Sequence, residues 1–114
     1  MRNKRRTNRV PVDMYLNKYM GGIPYMARAS NIGPDGVGLQ HLIEPQYEGR
    51  EVGLQFQLPG SNEVIYAEGE VVREWLHLNH QGYGVRFTYL TKRDRKLIDE
   101  FVATHPSHGR DDGK

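Results

Sequence analysis

Val52-Gly53-Leu54-Gln55-Phe56-Gln57-Leu58 alternates apolar and non-apolar side chains without a break, so Val52, Leu54, Phe56 and Leu58 share one face of an extended segment. Pro59-Gly60-Ser61-Asn62 supplies the turn that follows. Beyond it, Val64 to Trp75 reads as a long strand, bent or bulged near Gly69. Working outward, Val37 to Leu42, Tyr25 to Ala29 and, more weakly, Val12 to Tyr19 also read as strands, and Val85, Phe87 and Tyr89 alternate in a last one. Turn-forming clusters separate them at Gly21-Gly22-Ile23-Pro24, Asn31 to Gly36, Glu44 to Gly49 and the polar stretch His77 to Gln81.

One segment has a helical period. Thr91 precedes Asp94 by three residues, close to a capping box, and Leu97, Ile98, Phe101 and Val102 form one apolar stripe. The fold class expected is all-β with one C-terminal helix: six antiparallel strands closed into a small barrel, whose end or seam the helix covers. Lys92, Arg93, Arg95 and Lys96 then form a solvated helix face.

The 114 residues carry 16 basic and 14 acidic side chains. Five of the basic ones, Arg2, Lys4, Arg5, Arg6 and Arg9, fall within the first nine residues, with no acid among them. The remainder holds 11 basic and 14 acidic groups, a net of −3. A cationic arm on a mildly acidic body points to an anionic partner, and arginine suits phosphate because its planar fork makes paired, charge-assisted bonds. The expected organisation is a flexible basic arm at residues 1–9, a barrel with its helix at 10–104 and a disordered tail at 105–114.

Several function classes find no footing. There is no cysteine, hence no disulfide, thiolate nucleophile or cysteine-based metal site. No apolar run approaches 18 residues and no signal-peptide stretch follows the basic start, so no membrane insertion and a cytoplasmic location are expected. Walker loop, dinucleotide fingerprint and triad spacing are missing, so an enzyme is not expected. His77/His80 and His105/His108 read as solvent-facing histidines, and Glu68 and Glu70 as surface charges.

Two motifs carry the functional reading. Arg5-Arg6-Thr7-Asn8-Arg9, running into Val10-Pro11-Val12, resembles the RxxxR arm of the PilZ domain family, the bacterial cyclic di-GMP receptor modules. Asn31-Ile32-Gly33-Pro34-Asp35-Gly36 resembles that family's (D/N)xSxxG turn, with Asn31 and Gly36 at its first and last positions. Gly84-Val85-Arg86-Phe87 and the helix after it resemble the family's C-terminal end, so the likeness covers roughly residues 4–103.

The resemblance implies a PilZ-like barrel whose arm orders over cyclic di-GMP and signals to a downstream protein partner of unknown identity, with no cofactor. Arg5 and Arg9 take the motif arginine positions. Lys4 stands where many members carry a further arginine, and Arg6 is a secondary charge. Asn31 offers a donor and an acceptor to a guanine edge, and Gly36 allows close approach. Arg73 and Arg86 lie on strands that would border the same surface. Gly33 departs from the pattern by occupying the serine position, and a lost polar contact of that kind costs about 1–3 kcal/mol. Two alternatives therefore stay open: a degenerate PilZ-like domain kept for protein contacts, and a small nucleic-acid-binding barrel, which the net acidic body disfavours.

Overall fold

The computed structural model describes residues 9–40, 49–77 and 80–105, with the backbone alone at 73–77 and 80–81. These residues form six strands and one helix: β1 Val10–Met20, β2 Ile23–Gly33, β3 Gly36–Gln40, β4 Glu51–Gln57, β5 Val64–His77, β6 His80–Leu90 and α1 Lys92–Thr104. The strands run in the order β1-β2-β3-β6-β5-β4 around a closed barrel, and every neighbouring pair is antiparallel. This is the six-stranded barrel with one C-terminal helix that the strand pattern predicts.

The alternation that announces β4 is realised: Val52, Leu54, Phe56 and Leu58 are all buried in the barrel. Met14, Leu16 and Met20 from β1, Ala27, Ala29 and Ile32 from β2, and Val37 and Leu39 from β3 meet them there. Lys18 explains why β1 reads weakly. It falls on the inward face and is only 3% exposed, with its ammonium donating to the Tyr83 hydroxyl and lying 4.5 Å from that ring's centroid. A buried cation needs such partners, because transferring an unpaired charge out of water is costly.

The helix stripe is also realised. Ile98, Phe101 and Val102 are buried against the barrel, with Leu97 half-buried beside them. Thr91 is the N-cap, its hydroxyl accepting the Asp94 N–H at 3.0 Å. Asp94 does more than the expected capping pair. Its buried carboxylate accepts the Tyr66 backbone N–H of β5 at 3.2 Å and Arg93 Nη1 at 2.9 Å, tying the first helical turn to the sheet.

Four local expectations are corrected. The first turn is not Gly21–Pro24 but the two-residue loop Gly21-Gly22, with φ of 61° and 84°, because Met20 already pairs with Ile23. Two consecutive positive φ values match the right-handed twist of a hairpin, and glycine accepts them without strain. Pro24 is tolerated inside β2 because pairing with β3 begins only at Arg28, which spares the N–H that proline lacks. The Asn31–Gly36 turn is likewise tighter than expected: Asn31 to Gly33 belong to β2, Gly33 pairs with Gly36, and only Pro34-Asp35 form the loop.

The connection expected over His77 to Gln81 shrinks in the same way, since His77 pairs with His80. Tyr89 is the last correction, being 51% exposed where alternation with Val85 and Phe87 would bury it. Glu68 pairs with Tyr89 but Gly69 with Phe87, leaving Thr88 as an extra residue. This bulge, at the predicted Gly69, reverses the inward–outward phase, so that Leu90 rather than Tyr89 packs against the core.

Candidate functional site

The β2–β3 hairpin builds a glycine-floored site, with Gly36 and Gly38 buried beneath Arg9 and Asn31. With Pro34-Asp35 as the loop, the ladder sets Gly33 opposite Gly36, Ile32 opposite Val37 and Asn31 opposite Gly38. A register shift between Ala29 and Asn31 adds Ser30 to β2, the kind of bulge that re-aims a neighbouring side chain. Asn31 lies directly over Gly38: a Cβ there would stand 2.5 Å from Asn31 Nδ2 and 2.9 Å from both Cγ and Oδ1. Gly36 is as confined, since its Cβ would meet the Val85 carbonyl oxygen at 2.3 Å and Arg9 Nη2 at 3.1 Å.

Arg9, immediately before β1, reaches across this floor. Its Nη1 donates to Asn31 Oδ1 at 2.7 Å and its Nε to Asp35 Oδ1 at 3.3 Å, while Nη2 lies over Gly36. The loop beneath is tied to two other elements: Phe87 N–H donates to the Asp35 carbonyl at 2.9 Å, and Arg95 Nη1 to the Pro34 carbonyl at 3.3 Å. Arg86, paired with Gly36 across the β3–β6 ladder, borders the floor and donates to Glu70 Oε1 at 2.6 Å. The resulting surface is an exposed cationic edge over bare backbone, with amide and carboxylate groups around it. It can receive an anion or a flat ring, and among the described residues it holds no nucleophile–base pair.

Of the residues singled out from the sequence, Arg9, Asn31 and Gly36 come together here. Gly33 is buried at the base of the loop, paired with Gly36. The backbone of Arg73 pairs with Gly84, whose other neighbour is Gly38. Lys4, Arg5 and Arg6 lie outside the described residues. A groove of about 580 Å³ on the β1–β4–β5 wall, flanked by Tyr19 and Tyr66, contains none of these residues. No group of three or more His, Asp or Glu among the described residues is placed to hold a metal. His105 instead closes α1, stacked on Phe101 at 4.0 Å.

Sequence reasoning passed over Asp35, Gly38 and Glu70 as site residues. Gly38 had a usable signal: a two-residue loop at Pro34-Asp35 fixes the hairpin count and sets Gly38 opposite Asn31.

The model of the PilZ domain family matches residues 3–104. The chain belongs to the PilZ domain family. PilZ domains are non-catalytic receptor or adaptor modules, and the expectation that this chain is not an enzyme agrees with that membership. Solved structures carry the same fold at low identity. The Bacillus subtilis inhibitor of motility MotI/DgrA superposes with a TM-score of 0.79 at 13% identity, over 90% of this chain and 51% of that one. The Escherichia coli YcgR PilZ domain, solved with c-di-GMP, gives 0.65 at 11% identity over 90% and 92%. Borreliella burgdorferi PlzA, solved in complex with c-di-GMP, gives 0.57 at 7% identity over 84% and 50%. The chain thus spans about half the length of the MotI and PlzA chains. No curated protein matches it by sequence. Among the described residues of this PilZ domain, no helix is long and apolar enough to cross a membrane.

Proposed function

We propose that this PilZ domain is a cyclic di-GMP-binding signalling module whose basic N-terminal arm, residues 1–9, orders over the nucleotide on the barrel of residues 10–104. One observation carries the reading: Arg9, the last arginine of the arm motif, spans the two ends of the turn motif by bonding Asn31 and covering Gly36. Two motifs 22 residues apart in sequence meet at one part-buried site.

The chemistry follows from the ligand. Cyclic di-GMP is a dianion with two guanine faces, and guanidinium groups pair with phosphate, meet guanine O6 and N7 bidentately and stack on bases. Arg9 and Arg5, four residues apart, take those roles. Lys4 and Arg6 add charge, Asn31 addresses a guanine edge through Nδ2, and Gly36 admits the ligand to the backbone. Arg86, paired with Gly36, borders the same surface, and Arg73 is proposed as a further ligand contact. Gly33 supplies no hydroxyl, so the hold is weaker than a serine would give by about one decade or more. Ordering the cationic arm over the nucleotide changes the face offered to a downstream protein, in a cytoplasmic setting.

Gly33 also favours a second reading, a PilZ domain retained for protein contacts alone. Calorimetric titration with cyclic di-GMP, of the chain and of an Arg5→Ala/Arg9→Ala variant, separates the two. Saturable micromolar or tighter binding that the variant loses is the expected result. A folded protein that gives no binding by calorimetry or by an independent probe refutes the receptor reading in favour of the second.

A further inference from the structure

Arg9 already has an anion beside it. Its two bidentate edges are Nε with Nη2 and Nη1 with Nη2, the geometry through which guanidinium grips phosphate. Asp35 occupies Nε and Asn31 occupies Nη1, so one nitrogen of each edge is taken. The Asn31 bond is the shorter, at 2.7 Å against 3.3 Å, and holds the same guanidinium whose Nη2 lies over Gly36. The carboxylate is no wandering loop charge. Its residue sits in a two-residue turn opened by Pro34, with the Asp35 carbonyl bonded to Phe87 N–H and the Pro34 carbonyl to Arg95.

Resting on the receptor reading, we propose that Asp35 is a built-in competitor for the ligand phosphate, which has to take the Nε–Nη2 edge of Arg9 from it. The site is thereby gated by charge. A phosphate diester that bridges Arg9 displaces the carboxylate, and a neutral guanine compound does not. Asp35 is 44% exposed and Arg9 33%, so the displaced carboxylate turns to solvent. The release of an exposed ion pair is a small obstacle, and the fixed negative charge beside a dianion is the larger one.

The test is Asp35→Asn, which keeps the turn and the shape but removes the charge. Cyclic di-GMP should bind this variant about three- to tenfold more tightly than the parent chain at low salt, and the gap should close near 0.5 M salt, where screening is short-ranged. Equal or weaker binding by the variant overturns the proposal and makes Asp35 a support for Arg9.

A second readout separates this from failure of the receptor reading. Inorganic pyrophosphate is titrated against the Arg9 Nε–H resonance, assigned by its loss in Arg9→Lys. If neither protein binds cyclic di-GMP but pyrophosphate moves that resonance at lower concentration in Asp35→Asn, the receptor reading falls and the competition stands. If the resonance moves at the same concentration in both proteins, or in neither, the competition is refuted.

Discussion

Gly38→Ala adds one methyl group to the hairpin floor, and that methyl lands on Asn31. The new Cβ would stand 2.5 Å from Nδ2 and 2.9 Å from Cγ and Oδ1, where ordinary contact begins at 3.4 Å. The amide has to retreat by about 0.9 Å or swing off the floor entirely, because a carbon atom and an amide cannot share that space. Its Oδ1 bond to Arg9, 2.7 Å long, does not survive such a move in its present geometry. A hydrogen bond to a charged group contributes about 1.5–3 kcal/mol, and this one is part-exposed, so about 1–2 kcal/mol of cyclic di-GMP affinity, or about five- to thirtyfold, should disappear.

Stability should fall by no more than about 1 kcal/mol, because the obstructing atoms are the end of a side chain that has solvent to move into. Gly36→Ala is the contrast. Its Cβ meets the Val85 backbone oxygen at 2.3 Å, the sheet itself must shift, and the expected cost is about 1–3 kcal/mol of folding stability. The assay is calorimetric titration alongside denaturant unfolding for Gly38→Ala, Asn31→Ala and the double variant. Because Gly38 acts only through Asn31, the double variant should bind no worse than Asn31→Ala alone. Additive losses, or parent-like binding by Gly38→Ala, would refute the mechanism.

Two further outcomes concern the scaffold. Asp94→Ala leaves the Tyr66 N–H without its 3.2 Å acceptor and removes a carboxylate from the first turn of α1, so stability should drop by about 2–3 kcal/mol, read by urea unfolding. Gly22→Ala meets no atom within 4 Å but forces a side chain onto φ of 84°, so it should cost about 1–2 kcal/mol through backbone strain alone, with cyclic di-GMP affinity unchanged.

What the sequence disclosed and what it withheld divide along physical lines. Val52 to Leu58 and the Ile98–Phe101–Val102 stripe are legible because a face packed against a core imposes its period on consecutive residues. The phase reversal at Thr88 is not legible from β6 alone, since the bulge is a property of its pairing with β5. Lys18 hides β1 for a related reason: the inward position is apolar by rule, and its exception rests on Tyr83, 65 residues away. At the site, Arg9, Asn31 and Gly36 can be named because each belongs to a short motif of recognisable spacing. Asp35 falls at a position the turn motif leaves variable, and its proposed role depends on a guanidinium 26 residues earlier in the chain. Gly38 matters through the side chain that it makes room for.

The barrel closes unevenly. Among the described residues, β1 meets β4 only at Asn17, Lys18 and Tyr19, whereas its pairing with β2 runs from Val10 to Met20. Such a short seam is where a closed sheet is expected to part first. Amides bridging Asn17–Tyr19 and Gly53–Gln55 would exchange with solvent through a local parting of two strands, long before the molecule unfolds. Arg9, Asn31 and Gly36 sit on the β2–β3–β6 side, away from that parting line. The β2–β3–β6 surface is therefore expected to stay closed while the opposite wall parts, so that a ligand held there under the proposed function would not feel the seam open.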